Sequence, residues 1–198
     1  MGSVHALAAQ ARRLNSEVGA AGIPALYFFT DPLRTPDPVA IAKRLPRATA
    51  VVYRHFGSDD RARVARQLAA ISHSRGLFLL IAADRALARR VGAVGVHWPE
   101  KRIPMQRDHA FALETASAHS AEALARADVF GADACVLAPV FETRSASGNA
   151  ALGLFHASQM ARAARLPVIA LGGIDANNAR TLSGRGFAGL AAVDAFAA

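Results

Sequence analysis

Eight short apolar runs punctuate this chain of 198 residues, and nearly every one gives way to a polar residue or a glycine. Run 25–30 leads into Asp31, 50–53 into Arg54, and 77–81 into Asp84. Run 94–97 ends on His97, while 110–113 continues to Ser117 and His119, and 134–137 continues to Thr143. The last two, 168–171 and 189–192, meet Gly172-Gly173 and Val193-Asp194. Helix-like stretches separate the runs, and strands alternating with helices make a parallel sheet. Eight such units close a (β/α)8 barrel, whose functional groups gather at the carboxyl ends of the strands. The rival, an open doubly wound sheet, calls for a glycine-rich phosphate loop after the first strand. Thr30-Asp-Pro-Leu-Arg34 contains none.

The predicted helices lie at 38–45, 58–75, 84–91, 120–130, 155–165 and 177–185. Asp84 and Ser120 stand where N-caps belong, and Gly76, Gly92, Gly131 and Gly186 where helices end. Residues 4–18 carry apolar side chains at helical spacing and are expected to close the barrel floor. The whole chain, 1–198, reads as one domain. It is short for a barrel of usually about 250 residues, so its final helix is expected to be reduced or absent.

At 53% hydrophobic residues, the composition suffices for a sizeable core. The single cysteine, Cys135, falls inside an apolar run and reads as buried and free. No run approaches the ~18 residues of a membrane helix, and the first residues lack the pattern of a signal peptide. A cytoplasmic location is therefore expected. The net charge of +8 raises nucleic acid as a partner. However, the arginines cluster on separate amphipathic helices with no interleaved aromatic signature, so neither nucleic acid nor membrane is expected as a partner. The oligomeric state, a homo-oligomer included, is left open.

Taken in order, several motifs resemble those of the thiamine phosphate synthase and TenI family of small (β/α)8 barrels. They are Arg54 at a strand end, Asp84, Gly95-Val-His97, the turn Ser117-Ala-His-Ser120, the stretch Gly131-Ala-Asp through Pro139-Val-Phe-Glu-Thr143, and Pro167-Val-Ile-Ala-Leu-Gly-Gly-Ile174. The resemblance covers roughly residues 25–196. It implies coupling of a pyrimidine pyrophosphate to a thiazole phosphate, with Mg²⁺ on the pyrophosphate and Asp84 among its ligands. It also implies phosphate binding by Thr143, Ser145, Gly172, Gly173 and the Val193-Asp194 turn, with Ser117 as a further substrate-binding residue. In the TenI-type tautomerases, a histidine resembling His119 moves a proton on the thiazole ring. Imidazole suits that task because it titrates near neutrality.

The chain departs from the family pattern at specific positions. Val52, Phe56 and Ala83 replace polar or cationic residues, and Pro99-Glu-Lys-Arg102 lacks the second metal-binding carboxylate at its usual place. Asp194 puts a negative charge at an expected phosphate site, where it would repel the ligand. Each candidate also has a plainer reading. Asp84, Asp175 and Asp194 fit helix N-caps, His97 fits packing, and Asp31 could partner Arg54. Trp98, Tyr27 and Tyr53 fit packing too, and His55 and His156 have no assigned role. The resemblance thus implies a protein of thiamine biosynthesis whose nominal activity is that of the synthase, with catalytic roles for Arg54 and Asp84; the alternatives are a tautomerase using His119 and a repurposed small-molecule-binding barrel. The loop 142–152 has the composition of a lid.

Overall fold

A computed structural model describes residues 3–143 and 150–196. The chain begins with α1 (Ser3–Glu17), then β1 (Leu26–Phe29), α2 (Pro38–Ala42), β2 (Ala50–Tyr53), α3 (Arg61–Arg75) and β3 (Phe78–Ala82). It continues through α4 (Arg85–Val91), β4 (Gly95–Trp98), β5 (Leu113–Ala118), α5 (Ala121–Phe130) and β6 (Ala134–Leu137). The last elements are α6 (Leu154–Ala163), β7 (Val168–Leu171) and β8 (Phe187–Ala192), with 3-10 turns at Glu100–Arg102, Ala179–Leu182 and Asp194–Phe196. The strands pair in sequence order, and β8 returns to β1, closing the expected eight-stranded parallel barrel. A register shift interrupts the β7–β8 ladder between Val168 and Ile169.

Side chains alternate across each strand, so the barrel wall has two apolar faces. Tyr27, Phe29, Val52, Leu80, Val136 and Ile169 belong to one cluster, which fills the interior. Phe28, Val51, Ile81, Val96 and Leu190 pack with the helix side chains in a second, larger cluster outside it. Cys135 belongs to that outer layer, free and fully buried, and burial pushes its thiol up to about 12.

Local chemistry sets the element ends. The Asp84 carboxylate accepts from Leu87 N and the Ser120 hydroxyl from Ala123 N, capping α4 and α5. Gly76, Gly92 and Gly131 end α3, α4 and α5 in left-handed conformation. The helix expected at 177–185 is instead the short 3-10 turn Ala179–Leu182. The Asp175 side chain bends the chain there by accepting from Asn177 N and Asn178 N.

Two further expectations are corrected. Rather than only closing the floor, α1 packs along β8 with Leu7, Ala8, Ala11 and Leu14 buried, while its Ala8, Arg12 and Asn15 line a cavity at the strand starts. It covers the outer face of a strand followed, among the described residues, only by a 3-10 turn. Ala20 and Ile23, in the turn after α1, pack against the interior cluster and plug the floor. The fifth strand is Leu113–Ala118 and not 110–113, because Asp108 folds the preceding residues into a turn by accepting from Ala110 N and Phe111 N.

Candidate active site

The top of the barrel interior rests on His97. Its Nδ1 lies 2.9 Å from Thr115 Oγ1 and its Nε2 lies 2.8 Å from Ser117 Oγ. Both partners belong to β5, which explains why that strand carries hydroxyls at inward positions. Burial, with a contribution from Arg54, pushes the His97 imidazole down to about 3, so it is neutral at physiological pH. Phe29 meets its ring edge-on at 4.9 Å, and the Arg54 guanidinium lies over Phe29 at 5.2 Å. His97 is therefore a packing and hydrogen-bonding residue, and Ser117 is its partner on the neighbouring strand.

Above this platform, at the carboxyl ends of the strands, opens a cavity of about 100 Å³ as bounded by the described residues. Full ligand clefts run to roughly 300–1,000 Å³, so the described residues bound only part of such a cleft. His119, Arg54, Thr143, Gly172, Gly173, Val193 and Asp194, all singled out in the sequence, line it together. Ser117 and Asp84 do not, and Ser145 lies outside the described residues. The same holds for residues 144–149 of the loop 142–152.

The glycines are required by close approach. Gly172 has φ +105°, and a Cβ there would fall 2.6 Å from Pro139 Cα. Gly173 has φ +62°, and its Cβ would fall 2.2 Å from Glu142 O. The turn after β7 is thus pressed against the segment after β6, bringing Thr143 to the same cavity. Among the described residues, neither Gly172 N nor Gly173 N donates to a protein acceptor. Paired free amides of this kind suit an anion.

Two cations face this turn. Arg54 Nε donates to Thr30 O at 2.8 Å, and Arg54 N donates to Thr30 Oγ1 at 2.9 Å. Desolvation lowers the Arg54 guanidinium to about 10, leaving it charged at neutral pH. Asp31 stands 3.9 Å from it, as the sequence allowed, but also 3.5 Å from Arg34. Arg34 in turn pairs with Asp194 at 3.1 Å. Sequence reasoning missed Arg34. Its signal was the Asp31-Pro-Leu-Arg34 turn, in which Asp31 Oδ1 accepts from Leu33 N and Arg34 N and folds the arginine back over the mouth.

Opposite them stands His119, the first residue after β5. Its Nδ1 and its backbone N both bond to Glu100 Oε2, at 2.8 and 3.0 Å. Arg126 Nη2 donates to the other oxygen, Glu100 Oε1, at 2.6 Å.

These contacts decide the fit of Mg²⁺. The ion takes oxygen ligands, commonly one or two carboxylates together with substrate phosphate. Asp84 spends Oδ1 on its helix cap and has the positive Arg61 nearby, while both oxygens of Glu100 are occupied. Among the described residues, no three His, Cys, Asp or Glu side chains gather in metal-binding range. Of Asp84 and Glu100, Asp84 is therefore the one carboxylate with an oxygen, Oδ2, left for an ion bound mainly through substrate phosphate, and it does not line the cavity of His119 and Thr143.

A parallel barrel with a cation-rimmed, glycine-floored cavity at its strand ends defines a small-molecule site of the (β/α)8 class. Residues 26–196 match the family described as thiamine monophosphate synthase. The chain belongs to that family, whose place is in thiamine biosynthesis. It is 33% identical to the thiamine-phosphate synthase of Nostoc sp. over 159 residues, 77% of this chain and 45% of that protein. It is 29% identical to the putative thiamine-phosphate synthase 2 of Aquifex aeolicus, over 88% of this chain and 98% of the relative. Among solved structures, the thiamine phosphate pyrophosphorylase from Pyrococcus furiosus superposes with a TM-score of 0.71 at 25% identity, covering 87% of this chain and 90% of that one. The chain spans less than half the length of the first curated relatives it matches. No helix among the described residues is long and apolar enough to cross a membrane.

Proposed function

We propose that this barrel acts in thiamine biosynthesis on a thiazole phosphate, and that His119 moves a proton on the thiazole ring. The observation that carries this reading is the position of His119 on the same cavity as Thr143 and the Gly172-Gly173 turn. The amides of that turn, the Thr143 hydroxyl and the two arginines hold the phosphate, and the ring then reaches toward His119. Nε2 of the neutral imidazole takes a proton from one ring position, and the resulting imidazolium returns it to another. The ring changes tautomer with no atom gained or lost. A positioned acid–base group contributes roughly 10²–10⁴-fold to such a step.

The test follows the carboxylated thiazole phosphate by NMR in D₂O. Turnover with deuterium entering the ring, abolished in His119→Ala, supports the reading. Equal turnover in the variant removes His119 as the base.

A second reading is favoured by the family match: coupling of the thiazole phosphate to a pyrimidine pyrophosphate, the activity named for its relatives. In this reading Arg54 serves the pyrophosphate instead of the thiazole phosphate. Calorimetry with both substrates, with and without Mg²⁺, separates the two readings. Formation of thiamine phosphate establishes the coupling, whereas thiazole phosphate binding that is indifferent to Mg²⁺, without product, supports the tautomerase.

A further inference from the structure

We propose that Glu100 is the positioning residue of His119, fixing which ring nitrogen faces the cavity, and that Arg126 holds Glu100 in place. This rests on the reading of His119 as an acid–base group and adds the machinery that prepares it. Glu100 opens the 3-10 turn just after β4, in the segment where the family resemblance calls for a metal-binding carboxylate. Here the carboxylate is committed elsewhere. Its Oε2 receives both the ring Nδ1 of His119 at 2.8 Å and the backbone N–H of the same residue at 3.0 Å. Its Oε1 receives Arg126 Nη2 at 2.6 Å.

A carboxylate only accepts hydrogen bonds, so Nδ1 must carry a hydrogen. In the neutral ring, the lone pair is then on Nε2. Holding ring and backbone on one oxygen fixes the tautomer and limits rotation of the imidazole. Arg126 lies on α5, whose start is pinned by the Ser120 cap immediately after His119. Histidine, its carboxylate and the arginine behind it are thus tied to one strand–helix junction and the facing turn. A histidine in the wrong tautomer loses catalysis by as much as about 10⁴-fold in a serine-protease triad, which sets the scale at stake.

The test reads the tautomer without substrate. In protein with ¹⁵N-labelled histidine, the His119 ring signals are assigned by their disappearance in His119→Ala. The wild type is expected to show a protonated Nδ1 and an unprotonated Nε2 at a pH where the ring is neutral. Glu100→Ala should move the hydrogen to Nε2 and lower kcat by about 10²-fold or more with KM little changed. Glu100→Gln, whose amide oxygen still accepts, should restore the Nδ1–H form and part of the rate. Arg126→Ala, at an exposed position and so safe for the fold, should shift the tautomer in the same direction less completely. An unchanged ¹⁵N pattern in both Glu100→Ala and Arg126→Ala overturns the proposal, as does a tautomer change with kcat unaltered while His119→Ala is inactive. Full turnover in His119→Ala would instead defeat the acid–base reading and leave the tautomer result standing.

Discussion

Arg34 Nη1 lies 3.1 Å from Asp194 Oδ2, tying the loop after β1 to the turn after β8 across the seam where the barrel closes. Read from sequence, Asp194 is a bare negative charge at a phosphate site. In the structure, its charge is balanced by an arginine that lines the same cavity. The Asp194 side chain is 64% exposed, so the pair itself contributes little to stability, on the order of 0–1 kcal/mol. Its consequence is for ligand binding, because Arg34 cannot serve a carboxylate and a phosphate equally well.

Asp194→Ser should therefore tighten thiazole phosphate binding by up to roughly fivefold, as expected for releasing one partly exposed charge pair of about 0–1 kcal/mol. Arg34→Ala should weaken it by at least as much. Calorimetric titration of the three proteins decides the matter. Equal affinities would show that the anion is held by the Gly172-Gly173 turn without the arginine.

His119→Ala should lower proton transfer on the thiazole by roughly 10²–10⁴-fold. The side chain sits on the rim of the cavity, so the fold should survive and the melting temperature should move by only a few degrees. Loss of turnover with an unchanged circular dichroism spectrum is the expected pair of results.

The barrel was legible in the sequence because its signal is repeated eight times, and each apolar run ends beside a group that needs water or a ligand. The one misplaced strand shows what hides from such reading. β5 carries Glu114, Thr115 and Ser117 in its six residues. Glu114 is fully buried, with Arg85 Nε 3.2 Å away, and the two hydroxyls turn inward to hold His97. Polar residues whose partners are distant in sequence look like a loop until the fold supplies the partners. The site divides in the same way. Glycines and the histidine past strand ends could be read directly, whereas the commitments of Glu100 and Arg34 depend on side chains 19 and 160 positions away.

Gly172→Ala should destabilise the protein by about 2 kcal/mol or more, since it adds left-handed backbone strain to a steric clash. The clash is with backbone, at Pro139 Cα, so the neighbour cannot yield by rotating a side chain. Displacing that segment also moves Thr143, and phosphate affinity should fall together with stability. Urea unfolding and calorimetry on the same variant measure both effects. A stable variant with unaltered affinity would mean that the turn after β7 tolerates a shift away from Pro139.

The His97 ring makes stability depend on pH in a window that few other groups share. Burial depresses it from 6.5 to about 3 in the folded protein. Between those values the unfolded chain binds the proton and the folded chain does not, so stability rises with pH across the window. The contribution is complete above pH 6.5 and is lost progressively toward pH 3. At pH 4.5 the loss from this one ring is about 2–3 kcal/mol. His55 is depressed by burial as well and adds in the same direction. His97→Asn should retain one hydrogen bond to the β5 hydroxyls, start from a lower stability at neutral pH, and show a much flatter decline on acidification. Urea unfolding at pH 7.5, 5.5 and 4.5 gives the comparison. Parallel declines in the two proteins would mean that the buried imidazole is not what makes the barrel sensitive to acid.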